Sequence, residues 1–192
     1  MTRPPLLLPL LAACAGDSYA ADDFSYSDED WALDSEFSLP TMSIVELSST
    51  GLPPYICGHD TGFSGARFWQ FKAPPKYHGN ADRAFRQRLT WSTMTEFSSG
   101  RLLSTGDVTL TGRGLSLIAT IDNVPRSTRI WEEFSVYLDA RTEWRKQADG
   151  YPLATDDEIH SVLKTMTDLK LPGEWRDGEE TTCIDNVYFG SP

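Results

Sequence analysis

The C-terminal region from Thr155 constrains the fold more than any other part of the chain. It opens with helix signals at TDDE and finishes in the extended segment CIDNVYFG, residues 183–190. A terminal strand must place its backbone N–H and C=O groups against an earlier strand, because unpaired buried backbone groups are costly. The sequence therefore predicts a sheet that the last segment of the chain completes.

The helix before that strand is predicted from its cap and its apolar spacing. Thr155 and Glu158 have the spacing of a capping box. Ile159, Val162, Leu163 and Met166 then recur at helical spacing on one face. Pro172 and Gly173 prevent continuation much beyond Leu169. These signals predict an amphipathic helix that packs against the sheet.

The body of the chain reads mostly as strands. Residues 68–73 and 89–97 alternate in the period of two that is typical of half-buried strands. Residues 107–121 form two strand patterns around Gly112-Arg113-Gly114, which predicts a hairpin. A further strand is expected over residues 130–138. This pattern predicts an all-β protein, a β-sandwich with one helix before the last strands.

Length and charge limit the classes of function. The chain has 192 residues, 40% of them hydrophobic, which suits one domain with a substantial core. Its formal net charge is −11 and its pI is about 4.6. The 17 Lys and Arg residues form no basic cluster, so a nucleic-acid partner is not expected.

The N-terminus has the layout of an export signal. Arg3 precedes a short apolar run, Leu6 to Ala13, and small residues follow. Two processing sites compete: a lipobox that would lipidate Cys14, and a Ser18-Tyr19-Ala20 site for ordinary signal peptidase. We expect residues 1–20 to be a signal peptide or lipoprotein signal, residues 21–192 to be the domain, and the protein to be secreted or held in the cell envelope. The apolar run is too short to span a bilayer.

Export would place the cysteines in an oxidising compartment. Without Cys14, Cys57 and Cys183 remain as an even pair in an oxidising compartment, which predicts a disulfide between early and late parts of the domain. Two buried free thiols are the alternative. A zinc site is not expected, because the cysteines and the three histidines have no ligand spacing.

Several motifs in order resemble the laminin B domain, also called laminin domain IV type A, in its freestanding bacterial form. They are an aromatic strand running into a Pro-Pro turn at 68–80, strands around a Gly-x-Gly turn at 110–117, a Trp-to-Leu strand at 131–138, a Trp-to-helix entry at 144–158, and Ile-Asp-Asn-Val at 184–187. The flanking cysteine-rich repeats of laminin chains are absent. The resemblance covers about two-thirds of the chain.

The resemblance implies a jelly-roll-like sandwich related to galactose-binding and carbohydrate-binding modules. It supplies no catalytic residues. Relatives of this sandwich often hold a structural calcium near the joined chain ends, where Asp23, or its neighbour Asp22, and Asp185 could provide oxygen ligands. The alternative for Asp185 is a local hydrogen bond at a turn or strand end.

No catalytic motif is present, so the chain is not expected to be an enzyme. A glycoside hydrolase built on paired carboxylates such as Glu179 and Glu180 is a remote alternative. The first hypothesis is a noncatalytic binding module for glycan or a matrix-like polymer, and the second is a structural or protein-interaction domain of the envelope. Most tryptophans are expected in the core, whereas Trp175, between Gly173 and Gly178, is predicted to be exposed and to contact ligand.

Overall fold

The computed structural model describes residues 19–24, 27–35, 41–45, 55–60, 69–97, 100–103, 105–125 and 128–191, with only the backbone of 41–45 and 191. Residues 1–18 of the predicted signal region, including Cys14, lie outside these residues, and so does Phe68. The strands in chain order are β1 (Ala20–Asp22), β2 (Ala32–Ser35), β3 (Thr41–Val45), β4 (Tyr55–Asp60), β5 (Trp69–Lys72), β6 (Arg88–Phe97), β7 (Arg101–Leu102), β8 (Gly106–Gly112), β9 (Leu115–Ile121), β10 (Trp131–Tyr137), β11 (Trp144–Lys146), β12 (Met166–Pro172), β13 (Arg176–Asp177) and β14 (Glu180–Ser191). The helix α1 spans Asp156–Leu163, and 3₁₀ turns span Pro75–Tyr77 and Asp82–Ala84.

Two antiparallel sheets form a sandwich. The first has the order β10-β6-β14-β4-β3, with β1 also pairing with β14. The second has the order β11-β9-β8-β12-β5-β2, and β7 pairs with β13 in a short ribbon. The last strand, β14, lies in the interior of the first sheet, between β6 on one side and β4 and β1 on the other. The prediction that the C-terminus completes a sheet is confirmed.

The core lies between the sheets and takes alternate residues from each strand. Along β6 the inward residues are Leu89, Trp91, Thr93 and Thr95, as the alternation predicts. The β8–β9 hairpin is also confirmed. Its turn residues Arg113 and Gly114 both have positive φ, 52° and 71°, which matches the right-handed twist of the paired strands.

Trp69 shows how closely the layers pack. A Cβ atom at Gly58 would lie 2.4 Å from its ring, and one at Gly173 would lie 2.1 Å away. Glycine at both positions therefore lets β4 and the segment after β12 approach the two sides of the indole. Trp69 itself is only 2% exposed.

The helix is shorter than the sequence predicts. Its capping box between Thr155 and Glu158 is present, but α1 ends at Leu163, and Met166 begins β12. The apolar spacing predicted a longer helix because residues after Leu163 are buried too. Met166, Leu169 and Leu171 are buried as strand residues. β12 then pairs with both β8 and β5, so backbone pairing across a six-stranded sheet outweighs one more helical turn.

The predicted disulfide is present. Cys57 on β4 and Cys183 on β14 stand opposite each other in the antiparallel register and are bonded. The bond joins residues 126 positions apart in the sequence. It fastens the last strand to the early part of the chain, as expected.

Candidate functional site

The candidate site is a cleft on the outer face of the second sheet. Its volume is about 330 Å³, which is within the lower range of small-ligand sites. Its floor consists of the outward residues of β5, β8, β9 and β12, because alternate positions on these strands face away from the core. The inward neighbours Phe71, Leu110, Leu117 and Leu169 are fully buried.

One row of residues crosses five strands of this sheet and passes beneath the cleft. The register places its members directly opposite one another on successive strands, so their side chains share a face. The row consists of Leu153, Arg145, Ile118, Thr109, Lys170 and Lys72, and Ile118, Thr109 and Lys170 line the cleft. An elongated molecule that lies across the strands there would therefore meet one apolar side chain, a hydroxyl group and an ammonium group.

Lys170 is the central charged group of the cleft. Its ammonium group lies 2.5 Å from Asp34 on β2 and 3.6 Å from Asp168. Burial lowers the pKa of Lys170, but the hydrogen bond to Asp34 and the charge of Asp168 outweigh burial and raise it. The ammonium group is thus charged and held in place.

Gln70 supplies an oriented amide beside this cation. Its Nε2 donates to the carbonyl oxygen of Asp107 at 2.8 Å and to the hydroxyl of Thr109 at 3.4 Å. These bonds leave the amide Oε1 free of any hydrogen bond that the described residues show. Ile118 is the half-buried apolar side chain that lines the same cleft, and the buried Trp69 and Pro172 lie behind it.

Glu174 forms part of the wall of the cleft. The side chain is 5% exposed, and the backbone N–H of Glu174 donates to Trp69 at 3.2 Å. Burial raises the pKa of Glu174 to about 7, and the negative charge of Asp60 adds to that effect. The cleft therefore combines a fixed cation, an amide, hydroxyl groups and a carboxyl group with a shifted pKa.

The prediction that Trp175 is exposed is wrong. Its ring is 0% exposed and stacks on Phe134 with 5.5 Å between the ring centroids. Gly106 makes room for it, since a Cβ atom there would lie 2.5 Å from the indole. Polar flanking residues suggested a surface loop, but the large apolar ring fills the sandwich instead. Trp175 offers no face to a ligand.

Asp23 and Asp185 are near each other but do not form a calcium cage. Burial raises the pKa of Asp185 to about 6, and Asp23 adds to that shift. Asp185 also accepts from the backbone N–H of Asn186 at 2.7 Å, where β14 bulges and Asn186 has a φ of 52°. This is the local hydrogen bond that the sequence offered as the alternative.

The described residues contain no group of three or more His, Cys, Asp or Glu side chains that could hold a metal ion. Asp22 is already committed, because its buried carboxylate accepts from Trp31 at 2.8 Å and from Tyr77 at 2.7 Å and pairs with Lys76. Calcium takes roughly six to eight oxygens, and Asp23 with Asp185 supplies few of them. Asp23 and Asp185 alone do not complete a calcium site. The structural calcium stays a prediction.

A second groove, of about 310 Å³, lies on the outer face of the first sheet. Its lining includes Thr90, Ser92, Glu133 and the 39% exposed Tyr188. It occupies the opposite side of the sandwich from the cleft. Within the described part of the chain, no helix is long and apolar enough to cross a membrane.

Solved structures with the same arrangement of sheets define the class of the protein. The L4b domain of human laminin alpha-2 superimposes with a TM-score of 0.61 at 13% identity, covering 82% of this chain and 88% of that one. A family 11 carbohydrate-binding module from Clostridium thermocellum, in complex with a β-1,3-1,4-mixed-linked tetrasaccharide, gives 0.54 at 14%, covering 87% and 91%. The family 30 carbohydrate-binding module of a cellulosomal cellulase of the same organism gives 0.55 at 12%, covering 88% and 96%. The class is a jelly-roll β-sandwich.

The family follows from the sequence itself. Residues 70–191 match the family model for Laminin B (Domain IV), so the chain belongs to that family. The comparison with curated protein sequences gives no match. The resemblance seen in the motifs is therefore confirmed.

Sequence reasoning did not identify the cleft. Alternation placed Gln70 and Trp69 on opposite faces without deciding which face is core, Thr109 fell in a strand of the predicted hairpin, and Lys170 fell just after the predicted helix. The signal for Gln70 was its place between Trp69 and Phe71, which alternation assigns to the opposite face. No local pattern indicated that β5, β8 and β12 would lie side by side.

Proposed function

We propose that this chain is a noncatalytic module that binds a saccharide polymer in the cleft on its second sheet. The observation that supports this proposal is the cleft itself, which presents hydrogen-bond donors and acceptors beside an apolar side chain. Saccharides need such a mixture, because their hydroxyl groups donate and accept while their C–H faces are apolar. The fold is shared with a module solved in complex with a mixed-linked tetrasaccharide, which supports this ligand class.

A catalytic role has less support. Glu180, one of the paired carboxylates in the sequence, is 1% exposed and accepts from the backbone N–H of Trp175 at 2.7 Å. Glu179 and Glu180 both lie outside the cleft, in a pocket with His59 and Glu96. A glycoside hydrolase needs two carboxyl groups that flank one bond of the substrate. Of the other carboxylates that line the cleft, Asp34 pairs with Lys170 and Asp107 accepts a hydrogen bond from Thr120.

A second candidate function is a structural or protein-interaction domain. The specific observation in its favour is that Trp69, Trp91, Trp144 and Trp175 are all buried, so the cleft lacks an exposed indole for stacking on sugar rings. The likeness to a laminin domain is compatible with this candidate. Retardation of the protein in gels that contain polysaccharide would distinguish the binding module from the structural domain.

Affinity electrophoresis provides the test. The full chain would be run in gels that contain a soluble β-1,3-1,4-mixed-linked glucan, a soluble β-1,4-glucan or a sulfated polysaccharide. Retardation by at least one polymer is expected, and Gln70→Ala and Lys170→Met should each reduce it about tenfold, since each removes a polar contact. Ser135→Ala, at an exposed position on the first sheet, is the control. Normal migration in every gel would favour the structural candidate.

We also propose an exported protein with a lipid anchor on Cys14. Support comes from Tyr19 and Ala20, which the competing cleavage after Ala20 would remove. The Tyr19 hydroxyl donates to the carbonyl oxygen of His78 at 2.8 Å, and Ala20 pairs with Phe189. The disulfide fits an oxidising compartment. The intact mass of the mature protein should show a diacylated Cys14, and a protein beginning at Ala21 would contradict this proposal.

A further inference from the structure

Two buried carboxyl groups interact electrostatically: Glu174, which lines the cleft, and Glu180, which lines a separate pocket with His59 and Glu96. Glu174 is 5% exposed and Glu180 is 1% exposed. One oxygen of Glu180 accepts from the backbone N–H groups of Trp175 and Arg176, at 2.7 and 3.2 Å. The other oxygen, Oε2, has no hydrogen-bond partner among the described residues, and neither has Oε2 of Glu174.

The charges that face this pair are negative. Asp60 on β4 stands opposite Glu180 in the β14 register, and it acts on both glutamates. Asp177 on β13 adds a further negative charge near Glu174. Asp60 therefore repels a negative charge on either glutamate, and Asp177 repels one on Glu174.

The cations around the pair are engaged elsewhere. Lys170, which shares the cleft with Glu174, pairs with Asp34 and Asp168. The guanidinium group of Arg176 lies 3.3 Å from the ring centroid of Phe97 and donates to the carbonyl oxygen of Gly100 at 3.4 Å. Among the described residues, no ion pair neutralises either glutamate.

Buried carboxylates in such surroundings are costly when ionised. An unpaired charge in a protein interior costs several kcal/mol, and a carboxyl group avoids that cost by keeping its proton. Burial raises the pKa of Glu180 to about 8, opposed by the two backbone donors and reinforced by Glu174 and Asp60. Both groups thus titrate near neutral pH.

We propose that Glu174 recognises the saccharide as a neutral carboxylic acid that donates a hydrogen bond. This inference rests on the proposed function and adds a specificity-determining residue to it. A neutral carboxyl group both donates and accepts, as a sugar hydroxyl does, whereas an ionised one only accepts. Binding is therefore coupled to one proton in the cleft.

The coupling has a defined direction. If only the protonated cleft binds, the apparent affinity falls about tenfold for each pH unit above the pKa of Glu174. Ionisation would also place mutually repelling charges in the segment 173–180, which forms one wall. Saccharide binding should weaken as the solution becomes alkaline.

The test measures retardation by the soluble β-1,3-1,4-mixed-linked glucan, and by the other two polymers of the panel, between about pH 6 and about pH 9. Wild type should lose affinity by tenfold or more across this range. Glu174→Gln keeps a donor and an acceptor without a charge, so its affinity should match wild type near pH 6 and stay constant. Glu133→Gln, on the other sheet, should follow the wild-type profile.

Glu180→Gln tests whether the second buried carboxyl group takes part in recognition. Because the pKa of Glu174, about 7, lies below that of Glu180, about 8, Glu174 ionises first, so the affinity of this variant should fall over the same pH range as that of wild type. Retardation that is equal at all pH values in wild type would overturn this inference and leave the proposed function intact. No retardation at any pH would overturn both.

Discussion

Trp175 shows how one residue can change the functional interpretation of a whole segment. Its sequence context, GEWRDGEE, is polar and rich in glycine, yet the indole fills the space between Phe134 and Gly106. The segment therefore contributes to the site through Glu174, which lines the cleft, and not through its aromatic ring. Burial of a large ring outweighs the polarity of its neighbours, since a fully buried aromatic side chain contributes several kcal/mol.

Replacement of Trp175 should act on stability. Trp175→Ala would leave a large cavity, and we expect a loss of about 3–5 kcal/mol in the free energy of unfolding. Urea denaturation measures it. Tyr188→Ala, which removes an aromatic ring that is 39% exposed, is the matched control and should cost less. A loss under about 1 kcal/mol for Trp175→Ala would show that the ring is not a core residue.

The environment of some residues was predictable from the sequence, and that of others was not. Alternation assigned Trp69 and Phe71 to one face and Gln70 to the other, and it identified the inward residues of β6. These positions were predictable because a half-buried strand has a period of two. The pair Glu174 and Glu180 was not predictable, since its buried environment arises from strands that lie far apart in the chain.

The elements of the fold meet at the last strand. β14 pairs with β6 along most of its length and with β4 and β1 on its other edge. The disulfide lies within the β4–β14 pair, so it joins two strands that already share backbone hydrogen bonds. It therefore limits the freedom of the unfolded chain more than it adds contacts to the folded one.

Loss of the disulfide should destabilise without removing the fold. The double variant Cys57→Ser, Cys183→Ser should lose about 2–5 kcal/mol, because the unfolded chain regains the entropy of a long open loop. Thermal unfolding of oxidised wild type, reduced wild type and the double variant measures the effect. Equal melting temperatures for all three would refute it. A variant at Cys14 alone should melt as the wild type does.

The helix and β12 show why element boundaries were harder to predict than elements. The cap at Thr155 was found because it depends on two residues three positions apart. The end of the helix was missed because Met166 suits a helix face and a strand equally well. The helix ends before Met166 because β12 pairs with β8 and β5 in the second sheet. No local sequence pattern indicates this strand pairing.

At the scale of the whole molecule, the raised carboxyl pKa values predict how stability depends on pH. Glu174, Glu180 and Asp185 have folded pKa values of about 7, 8 and 6, above their ordinary values. Between about pH 4.5 and pH 8 the folded state therefore binds more protons than the unfolded state. The stability from these groups is fully present at low pH and is lost as pH rises through that window.

We expect the melting temperature of the wild type to fall between about pH 6 and about pH 9. Glu180→Gln should flatten this decline, because its amide does not ionise, and Glu133→Gln should not change it. Differential scanning calorimetry at constant ionic strength provides the measurement. A melting temperature that rises over this range would contradict the raised pKa values of these three carboxyl groups.

The central claim is that the outer face of the second sheet binds saccharide. Chemical-shift mapping by NMR tests it most directly, with the mixed-linked tetrasaccharide and the best-retarded polymer fragment as probes. We expect chemical-shift changes at Gln70, Thr109, Ile118 and Glu174, with little change in the chemical shifts of residues on the first sheet. Shifts confined to Thr90, Ser92 and Tyr188, or no saturable shift with any fragment, would contradict it.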